Sequence, residues 1–146
     1  LIVACPQLNS NVNLSRIVRL LGCCGVTQLI VCGRNKIDPK IARDAAQTVR
    51  IEARGSLPPV LKRLALDGYR IVGLEQTNRS KNLLEYSFDR RTVLVLGSER
   101  QGIVPEVLAE VHETLEIPVW GLPYSYNVAT ATTIAVFEYC RQFPSG

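Results

Sequence analysis

The stretch Val93-Leu94-Val95-Leu96-Gly97-Ser98-Glu99-Arg100-Gln101-Gly102 decides the fold of this chain. Four consecutive apolar residues run straight into a polar loop bracketed by glycines. An unbroken apolar run marks a strand covered on both faces, because a half-exposed strand alternates apolar with polar. Apolar β-type runs also recur at 1–5, 28–32, 70–74 and 114–117. Helical patterns fill the gaps at about 13–24, 39–47, 56–67 and 104–111, and a last one covers 126–142. Strands alternating with helices predict βαβ units and hence an α/β fold, a parallel sheet flanked by helices on both faces.

The bulk composition fits one domain, residues 1–146, with 47% hydrophobic and 21% charged residues and no repeat, linker or low-complexity segment. No apolar run approaches the roughly 20 residues that span a bilayer. Leu1–Cys5 precedes Pro6 and lacks a basic flank, so it reads as a strand rather than a signal peptide. The chain has no Met, which is expected of a piece of a longer protein. Its five Cys lie in apolar stretches, Cys5 and Cys32 in β-runs and Cys23, Cys24 and Cys140 in helices. They are expected to be small buried hydrophobes of a reducing, cytoplasmic setting. No C-x-x-C spacing occurs and His112 is the single His, so no metal site is expected. Charge is uneven: residues 1–70 hold 11 Lys/Arg against 4 Asp/Glu, residues 71–146 hold 6 against 9. A polyanion docking on the first half would fit that split.

In the first helix Leu14, Ile17, Val18 and Leu21 form an apolar stripe, and Ser15, Arg16 and Arg19 are expected to share the opposite face. Asn13 is placed at the N-cap, with Gly22 and Gly25 closing the helix. The last helix has hardly any polar side, which predicts burial nearly all round and packing on a second copy in a homodimer.

Two loops carry the polar groups. Gly97–Gly102 follows a strand but lacks the Lys-Ser/Thr of a phosphate loop, and no G-x-G-x-x-G occurs. Its two glycines imply close approach of backbone to a flat ligand, with Glu99 as an oriented carboxylate; a structural tight turn is the alternative. Gly121-Leu122-Pro123-Tyr124-Ser125-Tyr126-Asn127 then sets three polar side chains ahead of an apolar helix, of which capping explains one. No nucleophile stands with a base, so a hydrolase is disfavoured and a site that positions a reactive cofactor is favoured.

Three segments in order resemble the motifs of the SpoU/TrmH branch of the SPOUT RNA methyltransferases. Asn13 and Arg19 match the first motif, Leu94 through Gly102 with Gly97, Glu99 and Gly102 the second. Ile117, Pro118, Gly121, Ser125, Asn127 and Val128 match the third, with Tyr126 in place of the usual Leu. The resemblance implies an α/β fold with a C-terminal trefoil knot, S-adenosylmethionine as cofactor, a ribose 2′-OH of tRNA or rRNA as acceptor, and a homodimer through the first and last helices. The segment Gly68–Thr77 looks most like the branch acting on a guanosine of tRNA.

By the same resemblance, Arg19, Asn13, Glu99, Ser125 and Asn127 form the catalytic group. Leu74, Gly97, Gly102, Ile117, Leu122, Tyr126 and Val128 hold the cofactor. RNA capture rests on Arg16, Arg34, Lys36, Lys40, Arg43 and Arg54. Arg100 and Gln101 depart from the family pattern and add a charge near the cofactor loop. A non-catalytic RNA-binding module on the same fold is the rival reading.

Overall fold

The computed structural model describes residues 1–145. Its seven strands are β1 (Ile2–Cys5), β2 (Gln28–Cys32), β3 (Arg50–Arg54), β4 (Arg70–Leu74), β5 (Lys81–Asn82), β6 (Thr92–Val95) and β7 (Glu113–Glu116). Every strand pair in the sheet is parallel, in the order β3-β2-β1-β6-β4-β7-β5. The central strands β1 and β6 are buried along their whole length, as their unbroken apolar runs require.

Alternate strand residues point to opposite faces and seed two cores. On one face Val3, Cys5, Leu29 and Leu94 pack with α1 (Asn11–Cys23), the short α2 (Pro39–Ala42) and α3 (Ala45–Thr48), and α6 (Val128–Gln142). On the other, Ile2, Ala4, Ile71 and Val93 pack with α4 (Leu57–Leu66) and α5 (Pro105–Leu108).

Several expectations need correction. The helix expected at 39–47 is broken in two by Arg43, whose φ of 53° is a left-handed conformation that no helix can continue through. The helix expected at 104–111 is a single turn begun by Pro105. Strand β3 was not foreseen, because an edge strand reading Arg-Ile-Glu-Ala-Arg carries charge instead of an apolar run. Ser10, not Asn13, caps α1, accepting from the Asn13 N–H at 3.1 Å. Ser15 is buried, not on the exposed face: its hydroxyl donates to the Asn11 carbonyl at 2.7 Å and accepts from the Asp38 N–H at 2.9 Å.

Gly22 lies inside α1 and lets α3 come close, since a Cβ there would stand 2.4 Å from that of Ala45. Gly25, with φ of 67°, follows the helix end and does close it. Cys23 is exposed and Cys24 and Cys140 are half-buried, so only Cys5 and Cys32 are buried thiols. Helix α6 is not buried all round: Thr130, Thr133 and Arg141 are exposed, and Phe137 is 66% exposed.

Candidate active-site clefts

The loops after β4 and β6 and the segment entering α6 meet beyond the carboxyl ends of the strands, the edge at which open parallel sheets bind ligands. They enclose a cleft of about 400 Å³ between Leu74, Leu96, the Gly97–Glu99 backbone, Gly102 and the run Ser125–Val128. A smaller hollow of about 110 Å³ adjoins it, shares Leu74, Ser125 and Tyr126, and reaches Ile117.

The glycines shape this wall by what they lack. The turn closes through paired hydrogen bonds between Ser98 and Gly102, at 3.0 and 3.1 Å. A Cβ on Gly97 would stand 2.6–2.9 Å from the backbone of Gly102 and Ile103, so no side chain fits there. Gly102, with φ of 63°, leaves room for the Glu75 carboxylate. That carboxylate accepts from the Ile103 N–H at 2.8 Å and the Gln76 N–H at 3.0 Å, pinning the loop after β6 to the end of β4. Glu75 was missed as a site residue; the available signal was an acidic residue at the carboxyl end of an apolar strand.

Glu99 reaches across to α1. Its oxygens accept from the N–H groups of Asn9 at 2.9 Å and Ser10 at 3.1 Å and from the Asn13 side-chain amide at 3.2 Å. Asn13 in turn accepts from the Asn127 amide at 3.2 Å, while the Asn127 oxygen caps α6 through the N–H groups of Ala129 and Thr130. Three residues from distant parts of the chain thus form one chain of hydrogen bonds, Asn127 to Asn13 to Glu99. Desolvation opposes ionisation of Glu99, but the Asn9, Glu99 and Ser10 backbone N–H groups and the Asn13 amide outweigh it and hold the carboxyl below its ordinary value.

Of the residues expected to hold a cofactor, Leu74, Gly97, Gly102, Tyr126 and Val128 line the main cleft and Ile117 the adjoining hollow. Leu122 does neither: it is 75% exposed on the loop before Ser125. Asn13 is buried; Ser125 is exposed and lines both hollows. Arg19 is exposed on α1 and lines neither. The six basic side chains expected at RNA are all exposed, but Arg54 is paired with Glu52 at 3.0 Å. His112 accepts the Ile71 N–H on its Nδ1 at 2.9 Å, a structural use of the ring.

Among known proteins, the chain is 33% identical over 148 residues to the tRNA (guanosine(18)-2′-O)-methyltransferase of Aquifex aeolicus, covering 97% of this chain and 69% of that protein. It is 30% identical over 148 residues to the tRNA (guanosine(18)-2′-O)-methyltransferase TARBP1 of Mus musculus, covering 97% of this chain but only 9% of that protein. The solved A. aeolicus TrmH/SpoU tRNA modifying enzyme superposes with a TM-score of 0.93 at 31% identity, over 98% of this chain and 75% of that one. The sequence model of the SpoU rRNA Methylase family matches residues 1–137, and the chain belongs to that family.

Proposed function

We propose that this chain transfers a methyl group from S-adenosylmethionine to a ribose 2′-OH of RNA, with a guanosine of tRNA as the target and rRNA as the alternative substrate. The observation that carries this reading is the Asn127–Asn13–Glu99 hydrogen-bond chain at the rim of the main cleft. It joins the three segments that match the family's motifs into one site. Residues 1–146 are then the catalytic domain, working in the cytoplasm.

The cleft fits the cofactor. Its volume of about 400 Å³ lies in the range of small-molecule sites. Leu74, Leu96 and Val128 offer apolar walls, and Gly97 brings bare backbone to the surface. The cofactor supplies an electrophilic methyl group; the chain's residues do the rest. Backbone groups at Gly97, Ile117 and Tyr126 hold it, and Leu74, Gly102 and Val128 enclose it. Asn13, Glu99 and Asn127 are positioning residues that lock the turn and the two helix starts together. Ser125, exposed beside both hollows, is free to meet the incoming ribose. Alignment of hydroxyl and methyl supplies most of the acceleration.

The 2′-OH must lose its proton as it attacks. Arg19 stays charged at working pH, so it orients and polarises the hydroxyl while an RNA phosphate accepts the proton. Six residues along a helix turn about 600°, which sets Arg19 about 120° round the axis from the buried Asn13, on the exposed side. A second copy brings it to a cleft. The exposed stripe Val12, Arg16, Arg19 and Cys23 of α1 and the stripe Thr130, Thr133 and Phe137 of α6 form that homodimer contact. The return of the 117–127 segment to the loops after β4 and β6, and of α6 onto α1, supports a C-terminal trefoil knot. Arg34, Lys36, Lys40 and Arg43, which lie outside that contact, capture RNA.

Complementation tests this arrangement. Arg19→Ala alone should lower methyl transfer at least about 100-fold while binding the cofactor normally, and Gly97→Ala alone should lose cofactor binding. Co-expressed, the two should recover activity, because one mixed site holds an intact cleft and an intact Arg19. Retention of activity by Arg19→Ala would remove its assigned role, and failure of the mixture to recover would remove the shared site.

A further inference from the structure

A second cleft, of about 420 Å³, lies on the other side of the Gly97–Gly102 turn. We propose that it binds a nucleotide of the substrate RNA, the base on its apolar floor and the phosphate on Arg100; this rests on the RNA methyltransferase reading above.

The sheet topology places it. The connection leaving β1 leads to α1 on one face of the sheet, and the connection leaving the neighbouring strand β6 leads to α5 on the other. Where adjacent connections diverge in this way, the backbone opens a crevice at the carboxyl edge, the usual ligand site of open α/β sheets. Here the crevice is lined by Pro6, Gln7 and Asn9 from the first connection and by Ser98 and Arg100 through Val104 from the second.

Its chemistry differs from that of the main cleft. The floor is apolar, made by Leu57, Leu96, Ile103 and Val107. The rim carries Gln7, Asn9, Arg100 and Gln101, and no carboxylate lines it. Among the described residues, none of these four side chains has a hydrogen-bond or ion-pair partner within the chain. In the main cleft, by contrast, Glu75, Glu99 and Asn127 are all engaged by the protein itself. Three unengaged amides can pair with the edges of a base, since each offers both a donor and an acceptor. One unpaired guanidinium with no acidic neighbour in the cleft suits a phosphate. The two clefts share Leu96, Ser98 and Gly102, so a nucleotide seated here lies one turn of chain from the methyl donor.

The test is an NMR titration of the protein, with S-adenosylmethionine present to fill the main cleft, using guanosine 5′-monophosphate as the probe. The methyl resonances of Leu57, Ile103 and Val107 should shift. Arg100→Ala should weaken the apparent affinity about tenfold and Arg100→Lys much less, as expected for loss of one charge-assisted contact. The same Arg100→Ala change should raise KM for RNA while leaving cofactor affinity within about twofold. Absence of those methyl shifts, or an affinity indifferent to Arg100→Ala, overturns the site. Transfer of methyl to RNA without seating of the nucleotide overturns this inference alone. Seating without any methyl transfer sinks the methyltransferase reading and leaves a nucleotide site standing.

Discussion

Glu99 shows how one side chain can be both anchor and switch. It receives two backbone N–H groups at the entrance of α1 and the amide of Asn13, and so ties the loop after β6 to the first helix. Glu99→Ala should cost about 1 kcal/mol of stability, the usual loss when helix-entrance N–H groups lose their acceptor. It should lower methyl transfer by much more than that, because Asn13 and Asn127 lose their fixed positions. The folded carboxyl titrates below its ordinary value of 4.5. Its contribution is therefore complete above that value and disappears as pH falls through the lowered one. Thermal melts of the wild type and the variant should converge in acid; a constant difference down to low pH would show that the hydrogen bonds to the carboxylate are not what stabilises. The resemblance marked Glu99, but its partners Asn9 and Ser10 could not be read, because nothing local links residues 89 or more positions apart.

Among the elements, the far edge of the sheet is held by charge. Glu113 of β7 meets Lys81 of β5, the Tyr86 hydroxyl at 2.6 Å and Arg70 of β4 at 3.2 Å. The hydrogen bond from Lys81, with those from Tyr86 and Arg70, holds the Glu113 carboxyl at about 2. Burial and then the Glu113 carboxylate push the Tyr86 phenol up to about 12. Because the Glu113 value is depressed on folding, its stabilisation is present above the ordinary value of 4.5 and is lost towards pH 2. Glu113→Gln should cost on the order of 2 kcal/mol at neutral pH after allowing for partial solvent screening. Denaturant titrations should show the gap closing between those two pH values, and a gap that persists at pH 2 would contradict the assignment. The strands β1, β2, β4 and β6 announced themselves as apolar runs. This edge did not, since β5 is only Lys81–Asn82, too short to show a pattern of its own. The break at Arg43 was equally hidden, as Arg is an ordinary helix former and nothing in the local sequence marks its positive φ.

For the whole molecule, the sequence went furthest where structure is local. The two central strands and the glycine-bracketed turn after β6 follow from residues adjacent in the chain. The network from Asn127 to Asn13 spans 114 positions, and only the family resemblance placed its members together. The second cleft carried no motif at all, because it arises from two connections parting to opposite faces of the sheet, a property of topology and not of any one segment. Arg19 illustrates the same limit: its place in the motif was readable, but not its exposure about 120° round α1 from the buried Asn13 and away from both hollows. The most direct measurement is methyl transfer from labelled S-adenosylmethionine to bulk tRNA and, separately, to rRNA, followed by digestion and nucleoside analysis. Label is expected in 2′-O-methylguanosine from tRNA. Label in a base-methylated nucleoside, or no transfer to either RNA by a protein that binds the cofactor, would contradict it.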